Sequence, residues 1–175
     1  MKMSPRALAK TAMIAAIYTV LCVALAPFTY GSVQVRVSEA LTLLPVLSAD
    51  AIPGVALGCA IANAIGFATG ANILGFADIL FGTAATLVAA LLTRALRGVR
   101  IKGVPFAAAI PPVLLNALVV GGELTWLISG GWNPAVFALQ ALSVGLGELI
   151  ACVVLGLPML RFIEKHPALR EFVEK

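Results

Sequence analysis

The sequence predicts an all-α integral membrane protein, one domain over residues 1–175, crossing the bilayer six times with both termini in the cytoplasm. Three observations lead there. Apolar residues make up 61% of the chain and charged residues 11%, whereas a soluble domain dresses its surface with roughly 25% charged residues. The apolar positions gather into runs near the roughly 20 residues that cross a hydrocarbon core as helix. The cations fall almost entirely on one side of those runs, as the positive-inside bias requires.

Composition also excludes classes. A net charge of +4 and a pI near 9.3 invite a nucleic-acid reading. No Lys/Arg patch is interleaved with aromatics, so no nucleic-acid partner is expected. Cys22, Cys59 and Cys152 are odd in number, far apart and set in apolar runs. A disulfide framework or a metal site needs closer, paired spacing, so they read as small residues facing lipid or neighbouring helices. Lys2, Arg6 and Lys10 precede an apolar run ending in Ala24-Leu25-Ala26, which mimics a signal-peptide cleavage site. Pro27 would follow the cut, where cleavage is poorly tolerated, and the run reads as a retained first span.

Taken in order, span one covers about residues 8–26 and stops at Pro27. A loop over residues 28–37 holds Gly31 and Arg36. Segment two, residues 39–47, is short and contains Pro45, and Ser48-Ala49-Asp50 breaks it. Asp50 reads as a helix cap ahead of Pro53. Span three covers residues 53–68, Gly70 and Asn72 mark a tight connection, and span four covers residues 73–92. Residues 94–102 form a basic loop, and span five covers residues 104–120. A polar, tryptophan-bearing loop occupies residues 121–134, and span six covers residues 135–162 before a short charged tail.

Hydropathy does not settle segment two, but charge does. If it crosses, Lys2, Arg6, Lys10, Arg94, Arg97, Arg100, Lys102, Arg161, Lys165, Arg170 and Lys175 share the cytoplasm and Arg36 alone is outside. If it does not, the basic loop and the tail move outside with Arg36, leaving only Lys2, Arg6 and Lys10 within. The positive-inside rule rejects the second arrangement.

Depth then organises the polar residues. A charge near mid-bilayer costs about 2.5–3.5 kcal/mol on insertion scales, so each one calls for a reason. Glu39 opens segment two from the outside, and Asn63 lies one to two turns below the outer end of span three. Asn72 and Asp78 sit at the outer start of span four. Asn116 lies about 8 Å below the outer end of span five, taking that end at Gly121. Glu123, Trp126, Trp132 and Asn133 belong to the outer loop, Gln140 to the first turns of span six, and Glu148 lies roughly 20 Å along it. The inner half is almost purely Leu, Val and Ala, without the continuous polar path that a channel needs. The pattern is a capture site open to the outside, without its own translocation route. Glu39, Asp78, Glu123 and the deeper Glu148 face only Arg36, which suits a flat ligand with N–H donors or a cationic amine.

Duller readings stand beside these. Arg36 and Glu39 also fit an interfacial i,i+3 ion pair, and Trp126 and Trp132 an aromatic belt. Asn63, Asn116 and Gln140 also fit interhelical hydrogen-bond glue, and Glu148 a protonated structural group. Ala12-x-x-x-Ala16, flanked by Ala9 and Ala15, gives span one a small-residue face, for a partner or for internal packing. Catalytic material is scarce: His166, the sole histidine, lies in the tail, and no nucleophile elbow, zinc motif or nucleotide loop appears. Neither a catalytic nor a metal site is expected, and energy for transport must come from partners.

Val33-Gln34-Val35-Arg36-Val37-Ser38-Glu39-Ala40-Leu41-Thr42, followed by Leu44-Pro45, resembles the signature of the QueT family of queuosine-precursor transporters. The similarity continues through Ile52-Pro53-Gly54, Leu57-Gly58-Cys59, Asn63, Asp78 and Phe81-Gly82-Thr83. Pro111-Pro112-Val113, Asn116-Ala117-Leu118, Gly145-x-Gly147-Glu148 and Leu155-Gly156-Leu157-Pro158 extend it over nearly the whole chain. The resemblance implies the six-helix bundle of an S component, the substrate-binding subunit of an energy-coupling factor (ECF) importer of the ABC class. It implies a prokaryotic plasma-membrane location, docking of Ala12 and Ala16 on a transmembrane T subunit, and two ATPases that use the ATP, with no cofactor in this chain. The implied cargo is a 7-deazaguanine, such as pre-queuosine base or queuine. An S component for another purine-like or cationic vitamin, or a ligand-free structural membrane subunit, are the alternatives.

Overall fold

The computed structural model describes residues 4–30 and 35–174. Lys2, Gly31, Lys175 and the Val33-Gln34 start of the family-like motif lie outside the described residues. Helix α1 spans Pro5–Ala24 and is capped by Ser4, whose hydroxyl accepts from Ala7 N at 3.1 Å. A single turn, α2 (Ala26–Thr29), follows. After a ten-residue 3-10 helix, Val37–Val46, come α3 (Ala51–Ala68), α4 (Phe76–Ala95) and α5 (Ile110–Ser129). The last long rod is α6 (Pro134–Leu149), a π-helical stretch (Ile150–Gly156) and α7 (Leu157–Lys165), end to end. An amphipathic helix, α8 (Pro167–Glu174), completes the chain. Among the described residues there is no strand beyond one isolated bridge, Ile101 to Val104, in the basic loop.

Among the described residues five helices are long and apolar enough to cross a membrane: Pro5–Ala24, Ala51–Ala68, Phe76–Gly98, Phe106–Ser129 and Pro134–Lys165. They pack in sequence, α1 on α3, α3 on α4, α4 on α5 and α5 on α6. The burial pattern departs from a soluble protein's at its surface, which is apolar, and in the polar groups buried beside the apolar core. Arg36, Glu39, Asn63, Asp78, Asn116 and Glu148 are buried, while Leu80, Leu118, Leu139, Leu146 and Val154 are exposed. Such a surface suits lipid, not water. Small residues bring the helices together as packing in lipid requires. A Cβ at Gly58 would sit 2.7 Å from Tyr18 Cβ, and that closeness lets Thr19 Oγ1 donate to Gly58 O at 3.2 Å.

The 3-10 helix lies at the centre, against α1, α3, α4 and the π-helical stretch, with every residue from Ser38 to Val46 buried. At about 2.0 Å per residue its ten residues reach about 20 Å, where α geometry would reach about 15 Å. Both ends are tied to α4. Arg36 meets Asp78 in the first turn of α4, and Arg94 in the last turn donates to Pro45 O and Val46 O, each at 3.1 Å. These are terminal carbonyls that lack a helical partner.

Three expectations need correcting. The loop placed over residues 121–134 is mostly helix, since α5 continues to Ser129 and ends on Gly130 in the left-handed conformation at φ 63°. The Gly121-Gly122 pair does not break it, because Gly121 is where α6 presses in: a Cβ there would lie 2.8 Å from Ala141 Cα. Asn116 is therefore deeper than expected, about 20 Å along α5 from Ser129 at 1.5 Å per residue. Asp50 precedes α3 but its side chain makes no capping bond. It instead pairs with the buried Lys10 at 2.6 Å, a cation that would otherwise be stranded. The three cysteines are free and buried against neighbouring helices, one of the two settings expected of them.

Candidate functional site

Two polar clusters and one groove hold most of the residues singled out by sequence. The first cluster forms where the start of the 3-10 helix meets α3 and α4. Asp78 falls in the first turn of α4, where the helix dipole favours an anion. Arg36 Nη2 pairs with Asp78 Oδ2 at 2.9 Å and donates to Asn63 Oδ1 at 3.2 Å. Asn72 Nδ2 donates to the same Asp78 oxygen at 2.8 Å, and Asn63 Nδ2 to the Asp78 backbone carbonyl at 2.8 Å. The guanidinium carbon lies 5.5 Å from the centroid of the Tyr30 ring, within cation–π range. Gly82 admits the carboxylate, since a Cβ there would collide with Asp78 Oδ1. The i,i+3 pair between Arg36 and Glu39 does not form; the guanidinium turns to Asp78, leaving Glu39 for other partners.

The second cluster lies deeper. Glu39, fully buried, accepts a hydrogen bond from the Tyr18 hydroxyl of α1. Asn116 of α5 stands between Glu39 and Glu148 and donates to Glu148 Oε1 at 3.0 Å. Cys152 Sγ, on the π-helical stretch, lies 3.5 Å from Glu39 O and 3.8 Å from Glu148 Oε2. Five elements thus meet at two carboxylates below the level of Asp78.

The groove runs between the first turns of α4 and the last turns of α5, with a volume of 530 Å³. Leu74, Phe81, Val119 and Leu127 line it, together with Glu123, Trp126 and Trp132. Glu123 and Trp126 stand one turn apart on α5, so they share a face. Trp132 follows the reversal at Gly130 and packs on Phe137, ring centroids 4.8 Å apart. Both Glu123 oxygens are shielded from water and have no hydrogen-bond partner.

Of the residues singled out, Gln140 is half-buried on α6 and joins neither cluster. Ala12 and Ala16 are exposed on α1, away from the clusters, while Thr11, Ala15, Tyr18 and Cys22 form its buried face. Sequence reasoning missed Tyr18, Tyr30 and the bonding of Asn72 to Asp78. The signal was present: the chain has only two tyrosines, and a phenol inside or beside an apolar run needs a hydrogen-bond partner. In comparison with known proteins, the family model described as QueT transporter matches residues 8–165, while no curated protein and no solved structure matches the chain.

Proposed function

Because the chain belongs to the QueT transporter family, we propose that it is the substrate-capturing S component of an ECF importer. Transport and multi-pass membrane embedding follow from the family and from the five apolar helices. The finer reading has the 3-10 helix as a sixth crossing and both termini in the cytoplasm. Its clamps support this, since one end meets the first turn of α4 and the other end the last. Contacts also gather the cations at one end of the bundle. Arg94 reaches the close of the 3-10 helix, Arg100 pairs with Glu164 at 2.7 Å, and Arg161 donates to Lys102 O at 2.9 Å. Lys10 meets Asp50 and reaches Val173 O at that same end. Among the described residues Arg36 is the one cation at the opposite end, which the positive-inside rule assigns to the exterior.

The proposed cargo is a 7-deazaguanine, held by residues drawn from Arg36, Glu39, Asn63, Asp78, Asn116, Glu123, Trp126, Trp132 and Glu148. The observation that carries this is the Glu123 carboxylate in a groove walled by tryptophan, with Asp78 in the first turn of neighbouring α4, in a chain of a transporter family. Carboxylates accept the N–H donors of such a base, and indole faces stack on its ring. The exposure of Ala12 and Ala16 supports docking of α1 on a T subunit over internal packing, with two partner ATPases using the ATP. Calorimetry on the purified chain tests the cargo: saturable heat with a 7-deazaguanine is expected, and none with any deazaguanine overturns it.

A further inference from the structure

We propose that Glu123 is the residue that reads the ligand's hydrogen-bonding edge, taking an adjacent ring N–H and exocyclic amine on its two oxygens. This rests on the capture reading and narrows it to one side chain and one chemical feature. The inference starts from where each buried carboxylate's hydrogen bonds go. Asp78 is answered by Arg36 and Asn72, Glu39 by Tyr18 and Glu148 by Asn116. Among the described residues Glu123 alone has both carboxylate oxygens shielded and neither partnered. Buried acceptors in native proteins are satisfied with few exceptions, and an exception beside a cavity points to a missing donor.

The groove supplies the rest. Its 530 Å³ falls within the roughly 300–1,000 Å³ of small-molecule sites. Its walls are apolar apart from Glu123 and the two indoles, so a ligand satisfying this carboxylate lies flat against aromatic surface. Trp132 is steadied by Phe137 and offers a stacking face that discriminates poorly among planar bases. Specificity then falls on the two oxygens of Glu123. A base with both donors on neighbouring atoms engages them together, as a guanidinium engages a carboxylate. A base lacking the exocyclic amine leaves one buried oxygen orphaned, and sites of this kind reject such analogues strongly.

The test compares 7-deazaguanine with 7-deazahypoxanthine, which lacks the exocyclic amine, on the full chain in lipid nanodiscs by calorimetry. The wild type is expected to prefer 7-deazaguanine by about tenfold or more, the size of one hydrogen bond to a charged acceptor. Glu123→Gln keeps one acceptor and adds an opposed N–H₂, so it is expected to bring the two affinities within about threefold of each other. A second variant, Trp132→Leu, is expected to weaken both bases alike and leave their ratio unchanged. If Glu123→Gln retains the full preference, the assignment falls while the capture reading survives. If the wild type binds neither base nor any other deazaguanine, the capture reading itself falls and takes this assignment with it.

Discussion

Replacing Arg36 by methionine isolates the energetics of the first cluster. The substitution keeps an unbranched side chain of similar reach and removes the charge. Arg36 is 4% exposed and Asp78 0%, so solvent cannot take over the lost interaction. Removing one partner of a buried pair costs about 3–5 kcal/mol, because the other charge is left uncompensated. Asn72 continues to donate to Asp78 Oδ2 at 2.8 Å, which pulls the expected loss toward about 3 kcal/mol. Adding Asp78→Asn removes the stranded charge and should restore all but about 1 kcal/mol, since replacing both partners of a buried pair is often near neutral. The three free, buried cysteines supply the assay. Heating in detergent with a thiol-reactive fluorogenic dye reports unfolding as Cys22, Cys59 and Cys152 become accessible. At roughly 2–4 °C per kcal/mol for a chain of this size, the single variant should lose about 6–12 °C of midpoint. A loss under about 1 kcal/mol for Arg36→Met, or a double variant showing the plain sum of the two single losses, would refute the reasoning.

Other perturbations test other contacts. Tyr18→Phe removes the donor to Glu39 Oε1, whose neighbour Oε2 already lacks a partner, and should cost about 1–3 kcal/mol in the same dye assay. An unchanged midpoint would mean that Glu39 does not depend on this hydroxyl. Gly82→Ala puts a methyl group onto Asp78 Oδ1 and should cost about 1–3 kcal/mol as overpacking, read by thermal unfolding. Ala12→Leu with Ala16→Leu alters exposed positions, so the isolated chain should keep its stability within about 0.5 kcal/mol. Co-purification with the T subunit should nevertheless be lost, and a complex that survives would place docking elsewhere on the surface.

The long helices were legible because lipid leaves the chain few options. A backbone in hydrocarbon must satisfy its own hydrogen bonds, and runs of about 20 apolar residues do so as helix. The same rule explains the misreading of residues 121–134. Gly121-Gly122 counts as a break in water, where exposed amides find solvent. In α5 Gly121 provides the flat surface on which Ala141 of α6 rests. The first cluster was legible in kind, since Arg36, Asn63 and Asp78 stood out as costly polar groups in apolar surroundings. Their pairing was not, because the i,i+3 spacing of Arg36 and Glu39 suggested a local partner where a distant one prevailed. The Glu39, Asn116 and Glu148 arrangement was hidden for a related reason. Depth along each span was measured from its expected end, and moving the end of α5 to Ser129 re-levels Asn116 beside Glu148. The burial of Lys10 against Asp50 was hidden too, since the two stand far apart in sequence.

The central 3-10 helix carries a constraint on length. Each residue there advances the chain by about 2.0 Å and turns it by about 120°. One residue inserted or deleted within Val37–Val46 would therefore rotate one terminus by a third of a turn relative to the other. Arg36 at the start and the Pro45 and Val46 carbonyls at the close could not both keep their partners on α4. The residue count of this stretch is thus held from both ends, like a spacer cut to fit.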